Sequence, residues 1–520
     1  MTTKKTPQKS HPKGELKKAV NHAIGSPISA DTFDGKIHIE WDPDAEVTPL
    51  GQLPFFIQFL KTGGLFKPWV DDCPLRYDSN NAPEKVDVLG SFLLAILAGH
   101  NRYAHMTALQ SDRVNSKLLG MNKIVSDDSA RRALKKIDEK PGIDWLQTHL
   151  HYCFNPLLQE SWILDCDTTV KPLYGRQECA DIGYNPQKPG RPSHTFHTYI
   201  MANLRLVLDV EVQSGKKTAA KYSAPGLWDL LDRIPQRHWP KMVRGDCDWG
   251  NETILREAEA RNVDYLFKVR QSHNVKTLIY KLHYESGWQT IFDGWEAKES
   301  TLQLDSWTKE RRVVVTRRQI KGDIIALPDS PPQLKHGQQQ LAFIESAEDF
   351  KTYEYAVLVT SLSDEVLTIA QWYRDRADCE NVFDEIKNQW GWGGYVTQDV
   401  KRSRFMSRMI ALVYNWWNLF VRLAEPNKHL EAITSRPLLL HGVGKLTSHS
   451  DQQKLTITQS HGKRNEVIIA YQRIANFFSG LKLIAPQLTP IECWYRILSE
   501  AVKKYLNGRQ LHPPNQICEG

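Results

Sequence analysis

Residues 369–390 read IAQWYRDRADCENVFDEIKNQW. The stretch holds no Gly or Pro, and its apolar residues recur at helical spacing, so it predicts one amphipathic helix. Successive residues turn by about 100° around a helix, and steps of three, four and seven nearly complete whole turns. Tyr373, Arg376, Glu380 and Lys387 therefore share one arc roughly 60° wide. Trp372, Cys379, Val382, Phe383, Ile386 and Trp390 crowd the adjoining arc. Such a helix buries one side and offers an acid, two bases and a phenol along the next. A charge cluster alone is most often a solvated face. Chemistry at Glu380 requires other acids with a reason to meet it.

Two upstream stretches supply them. WILDCDTTV (162–170) is apolar, β-branched and short, the pattern of a buried strand. Asp165 and Asp167 stand two apart on it and so face the same side. MVRGDCDWGNE (242–252) reads as a strand ending in a turn, with Asp246 and Asp248 again two apart. Taken singly, each is a carboxylate that a strand end or turn would use for capping.

The spacing of Tyr373, Arg376, Glu380 and Lys387 resembles the signature of bacterial insertion-sequence transposases of the DDE type, in the IS-four-like superfamily. DTTVKPLYGRQ (167–177), GYNPQKPGRPSH (183–194) and RGDCDWGNE (244–252) are together similar to the thirteen-eighty group of that superfamily. The resemblance spans roughly residues 162–426 and implies roles. Glu380 is the third metal-binding carboxylate. The Asp directly before Thr-Thr selects Asp167 as the first, with Asp165 as the fallback. The form Arg-small-Asp selects Asp246 as the second. Tyr373, Arg376 and Lys387 touch the transposon-end DNA. Lys188 and Arg191, in the Gly/Pro-rich basic loop, and Arg244, before Asp246, are further candidate DNA contacts. Trp288, Trp295 and Trp307 are candidates for stacking on a base, with core packing the commoner use of each.

The chemistry matches the residue types. Phosphodiester cleavage needs an activated oxygen nucleophile and relief of charge on the leaving 3′ oxygen, which two divalent ions supply together. Mg²⁺ is a hard ion that prefers carboxylate oxygens, and Mn²⁺ is the expected substitute. Three acids gathered from distant strands and one helix form such a site. The implied activity is Mg²⁺-dependent hydrolysis followed by transesterification with the freed 3′-hydroxyl. The implied partners are double-stranded DNA, both terminal inverted repeats and target, and a second copy of the chain on paired ends. Two alternatives stay open: a ribonuclease-H-like DNA nuclease without strand transfer, and a catalytically inactive repressor that occupies the ends.

The expected fold class is α/β. The order of strands and helices over 160–286 is that of a ribonuclease-H-like core, a mixed sheet with flanking helices. The expected organisation is a basic disordered arm (1–34), a helical DNA-binding domain (35–159) and the leading segment of the core (160–286). A β-rich insertion (287–355), the returning segment of the core with the Glu380 helix (356–425) and a helical C-terminal region (426–520) complete it. Arg131, Arg132, Lys135 and Lys136 are the most concentrated basic set in the helical domain.

Composition agrees and excludes other classes. With 67 Lys and Arg against 60 Asp and Glu, the net charge of +7 weakly favours a polyanionic partner. The eight Cys never form a C-x-x-C pattern, which argues against a zinc ribbon or a disulfide framework. No apolar run reaches the roughly 18 residues of a membrane span, and the N-terminus lacks the apolar core of a secretion signal. The expected location is the bacterial cytoplasm, beside the nucleoid.

Overall fold

The strand expected around Asp167 forms the middle of a sheet because its side chains divide cleanly. Leu164 and Cys166 are fully buried on one face, while Asp165 and Asp167 point to the other. The computed structural model describes residues 28–514 apart from 43, 187, 292–293, 320–352, 451, 459–461 and 485–486. In chain order its strands are β1 (Ile28–Thr32), β2 (Gly35–Ile39), β3 (Val47–Thr48), β4 (Ile163–Pro172) and β5 (Asp181–Ile182). There follow β6 (Pro192–Met201), β7 (Leu206–Ser214), β8 (Met242–Gly245), β9 (Tyr265–Lys268) and β10 (Gln289–Thr290). The last five are β11 (Trp295–Leu302), β12 (Arg311–Gln319), β13 (Tyr353–Thr360), β14 (Gly444–His449) and β15 (Gln452–Ile457).

Ten of these strands make one mixed sheet, with β7 beside β6 and the remainder running β10-β11-β12-β13-β9-β8-β4-β6-β5. β4, β6 and β7 are antiparallel neighbours, and the β6–β7 reversal uses Asn203 and Arg205 at positive φ. β4, β8 and β9 are parallel. Parallel pairs need crossovers, and two helices over 220–232 and 252–260 provide them. The crossovers bring the C-terminal end of β8 beside the middle of β4.

The stretch expected to form a β-rich insertion lies on this same sheet. β13 pairs with β9, β12 with β13 and β11 with β12, all antiparallel. The apolar faces of these strands continue the core, with Val313, Val315, Val357 and Val359 buried in it. The further strand expected over QLAFIE (340–345) lies outside the described residues.

The helical expectation for the N-terminal region holds for six helices: α1 (Leu53–Thr62), α2 (Phe66–Asp71), α3 (Lys85–Leu97), α4 (Arg113–Leu118), α5 (Asp127–Lys136) and α6 (Glu139–Phe154). The hairpin β1–β2 precedes them and overlaps the end of the expected arm, of which residues 1–27 lie outside the described residues. After the crossover helices α7 (Ala220–Asp232) and α8 (Glu252–Ala260) come α9 (His273–His283), α10 (Val366–Arg374) and α11 (Ala377–Gln389). Then α12 (Val400–Ala424) is buried nearly all round. It packs on β7 and α6 at once, which joins the N-terminal helices to the sheet. Asn415 fixes it by accepting from Val207 N at 2.9 Å and donating to Val207 O at 2.8 Å.

The C-terminal region is not wholly helical. α13 (Ala432–Leu439), α14 (Arg464–Ile484) and α15 (Pro490–Ala501) flank the hairpin β14–β15, which pairs with β3. Most of the hairpin is exposed, so its residues carry little of the apolar alternation that marks a strand. Among the described residues no helix is long and apolar enough to cross a membrane.

Candidate active site

Asp167 and Asp246 meet through strand register. Asp165 on β4 stands level with Arg244 on β8. β8 ends at Gly245, so Asp246 follows just past the paired stretch, near enough that its charge acts on Asp167. Asp246 opens a turn in which its Oδ1 accepts from Asp248 N at 3.0 Å, and Trp249 folds back over β8. That fold requires Gly245: a Cβ there would meet the Trp249 ring at 2.5 Å. The small residue before Asp246 is thus explained by packing.

The two acids of β4 separate in role. Asp165 is buried and bound by Arg244, Nε to Oδ1 at 2.6 Å and Nη2 to Oδ2 at 2.7 Å. Asp167 accepts from Thr168 N at 2.7 Å, and its Oδ2 receives Arg376 Nη2 at 2.6 Å. The fallback acid is therefore committed to a structural pair, and Asp167 is the one that faces Arg376. Arg244, expected at DNA, is only 1% exposed and serves Asp165.

The single helix expected over 369–390 is two. α10 ends at Arg374 and α11 begins at Ala377, with no Gly or Pro between them. The cause is tertiary. Arg244 Nη1 donates to the Trp372 carbonyl, which an unbroken helix would give to Arg376 N. Arg376 N bonds instead to Tyr373 O at 3.1 Å, and Asp378 N to Asp375 O at 3.2 Å. These are tighter, three-residue turns. The break sets Arg376 at the head of α11, with its guanidinium 3.8 Å from Glu380 Oε1 as well as on Asp167. Glu380 is in the first turn of α11, and 71% of its side chain is exposed.

The electrostatics record three acids crowding one cation. Burial pushes the Asp167 carboxyl up to about 6; Arg376 opposes that rise, while Asp246 and Glu380 add to it. Burial likewise raises Asp246, with Asp248 N and Arg376 pulling back. Burial disfavours the Arg376 charge, but Asp167 and Tyr373 more than restore it, and its pKa ends above the ordinary value. Burial raises the Tyr373 phenol as well, so it is a hydrogen-bond donor at neutral pH.

Asp246, Tyr373, Arg376 and Glu380 line one cleft of about 480 Å³. Its opposite wall comes from β11–β13 and includes Trp295, Thr316 and Glu354. Trp295 is thus the one of the three candidate tryptophans that faces the cleft; Trp307 is buried, and Trp288 packs against Tyr355 and Arg317. Sequence reading missed Lys268, on the cleft wall, and Arg270, which pairs with Asp248. Lys268 ends β9 and Arg270 follows it, and only the strand order β8–β9 would have pointed to them.

The remaining DNA candidates stand off the cleft lining. Lys387 is half-buried at the far end of α11, about 10 Å along the helix from Glu380, and burial lowers its pKa. Lys188 and Arg191 are exposed and sit over the Tyr174 ring, at 5.0 and 4.9 Å from its centroid. In α5, Arg131 and Arg132 pair with Asp127 and Asp128 of their own helix, and Lys136 pairs with Asp78.

Asp167 in the middle of β4, Asp246 just past the end of β8 and Glu380 in the first turn of α11 thus gather around Arg376 on one side of a mixed sheet. The family model for the transposase DDE domain, group 1, matches residues 76–478. The chain belongs to that family and is a DNA transposase. Among curated proteins none matches. Among solved structures the chain is similar to a piggyBac transposase, from a cryo-EM structure of its synaptic complex with hairpin DNA. That match has 10% identity and a TM-score of 0.39, and covers 91% of this chain and 87% of that one.

Proposed function

We propose that this transposase cuts and joins DNA at the cleft around Arg376, with Asp167, Asp246 and Glu380 as its catalytic, metal-holding carboxylates. The observation that carries the reading is the approach of Asp167 and Glu380 to one guanidinium, at 2.6 and 3.8 Å, with Asp246 beside them. The donor set fits a divalent ion: oxygen ligands only, with no sulfur or imidazole, as Mg²⁺ or its substitute Mn²⁺ prefers. Among the described residues no three acids stand close enough together to hold an ion as they are. Arg376 accounts for this, since it balances the acids in the ion's place. A bound divalent ion there would activate the attacking oxygen and offset charge on the leaving one.

The chain's own residues supply the rest. Arg376, on leaving Asp167, grips a DNA phosphate bidentately. Tyr373 donates its phenolic proton to a phosphate oxygen. Lys387, Lys188 and Arg191 follow the backbone as charges. Arg244 keeps Asp165 and the α10–α11 break in place and touches no DNA. Trp295, across the cleft from the acids, offers a face to a base. Asp167 would hold an ion only in its ionised form, so ion uptake would release any proton that burial retains there.

The order β7-β6-β4-β8-β9, antiparallel and then parallel, supports a ribonuclease-H-like core. The Tyr373, Arg376, Glu380, Lys387 spacing supports membership of the IS-four-like superfamily and its thirteen-eighty group. On this reading the N-terminal helical region recognises the inverted repeats, two copies act on paired ends, and the protein works at the bacterial nucleoid.

Glu380→Ala tests the assignment. It should abolish cleavage and leave end binding intact in a gel shift; normal cleavage would remove Glu380 from the site. A donor–target assay separates the alternatives, because a nuclease without strand transfer yields cut ends and no joined product. An inactive repressor yields neither, and the presence of all three acids speaks against it.

A further inference from the structure

A polar cavity of about 400 Å³ lies on the other side of the Glu380 helix. Asp378 lines it, while Glu380 two positions on lines the catalytic cleft, about 200° around the same first turn. Its other walls are the β6–β7 reversal, the end of α12 with the segment that follows, and the end of α15.

Its charges do not balance. Asp378 is the one carboxylate among the lining residues, and Arg205 takes it with Nε at 3.0 and 3.1 Å and Nη2 at 2.5 Å. His429 is engaged by Glu385 at 2.7 Å. Arg422, Lys428 and Lys504 remain. Arg422 donates to Asn418 Oδ1 at 3.0 Å and to Leu204 O at 3.1 Å, both neutral acceptors. Among the described residues no carboxylate lies within ion-pair distance of it. Burial lowers its pKa and the like charge of Arg205 adds to that, while Tyr414 and Asp378 oppose it in part. Lys428 is exposed, and Lys504 reaches only the Asn427 carbonyl, at 3.4 Å. Arg422 is half-buried and meets no carboxylate directly, an arrangement that an anion in the cavity would stabilise.

We propose that this cavity is a phosphate-binding site, with Arg422 as the planar fork at its floor and Lys428 and Lys504 at its rim. Three cations without a direct ion pair, facing one cavity, suit a phosphoryl group, whether of a DNA backbone or of a free phosphate compound. The occupant would also compete with Asp378 for Arg205. That pair holds the turn that carries Glu380, so the two cavities share one helical turn.

Titration calorimetry of the full chain with inorganic pyrophosphate, in the absence of divalent ions, tests the proposal. Alongside it, salt titration of duplex DNA binding distinguishes the two sources. The wild type should take up pyrophosphate saturably. Lys428→Ala with Lys504→Ala should weaken that at least fivefold, and Arg422→Gln at least tenfold. The exposed lysine pair keeps the test valid if the half-buried Arg422 variant misfolds. Weakened pyrophosphate uptake with unchanged DNA binding identifies a free phosphate compound. A DNA salt slope lower by about two units in the lysine variant identifies the DNA backbone. If the lysine variant matches the wild type in both titrations, the proposal is overturned. Glu380→Ala should leave pyrophosphate uptake unaltered, which keeps this test separate from that of the catalytic carboxylates.

Discussion

Arg244→Met is the sharpest probe of how this site is held. Arg244 and Asp165 are joined by two charged hydrogen bonds of 2.6 and 2.7 Å, with side chains 1% and 2% exposed. Methionine removes both bonds and leaves a buried carboxylate with no partner at those atoms. Breaking a buried pair in this way costs about 3–5 kcal/mol. The Trp372 carbonyl also loses its donor, which adds roughly 1 kcal/mol. Replacing both partners by apolar residues, as Asp165→Leu with Arg244→Met, removes the stranded charge and should recover most of the loss, because an apolar pair leaves no unpaired polar group. Urea unfolding at pH 7 of the wild type, both single variants and the double variant closes the cycle. The reasoning fails if Arg244→Met loses less than about 1 kcal/mol. It fails equally if the double variant is as unstable as the two singles added together. Cleavage should fall further than stability predicts, since the freed carbonyl lets residues 372–380 return to an unbroken helix and swings Glu380 away from Asp167.

Other expectations follow from the same geometry. Burial holds Asp167 at about 6, so between about pH 4 and 6 the folded chain binds a proton that the unfolded chain has released. Metal-free stability should therefore fall as pH rises through that window, and Asp167→Asn should flatten the fall; an equal slope in both proteins would contradict the burial argument. Millimolar Mg²⁺ should raise the wild-type melting temperature and leave that of Asp167→Asn unmoved, by scanning calorimetry; an equal rise in both would place the ion elsewhere. Lys387→Ala should weaken DNA binding across sequences and lower the salt slope by about one unit, and an unchanged slope would return Lys387 to the solvated surface. Trp295→Ala should leave unfolding nearly unchanged while reducing strand cleavage, measured on a labelled duplex.

The features legible in the sequence were those set by local pattern. WILDCDTTV announced a buried strand, and β4 forms there. The acids were readable because strand alternation put Asp165 with Asp167, and a turn pattern followed Arg244. What could not be read depends on distant partners. The helix over 369–390 breaks because Arg244, more than a hundred residues earlier, takes one carbonyl; nothing between Trp372 and Ala377 signals it. The same arginine pairs with Asp165 and leaves Asp167 to Arg376, a choice between the two acids of β4 that alternation leaves open. The stretch after β9 read as a separate insertion because its strands alternate as any half-buried strand does. Whether such strands found a new sheet or extend an old one rests on β13 pairing with β9, a long-range contact. The β14–β15 hairpin was invisible for the opposite reason, since strands that are mostly exposed carry little apolar alternation.

The arginine at the break connects these observations. A lysine at position 376 would balance one carboxylate as a point charge, but Asp167 and Glu380 approach different nitrogens of one planar group, Nη2 and Nη1. Only a forked cation can stand between them, and only a break in the helix puts position 376 where the fork reaches both. Arg244 makes that break while holding Asp165 out of the cleft. Two guanidiniums thus sort the acids. One sequesters Asp165 permanently in the core. The other holds Asp167 beside the cleft that Arg376 lines, in a pair that on the proposed reading a divalent ion would displace. The two acids of β4 differ in use not through their chemistry, which is the same, but through how readily each can give up its arginine.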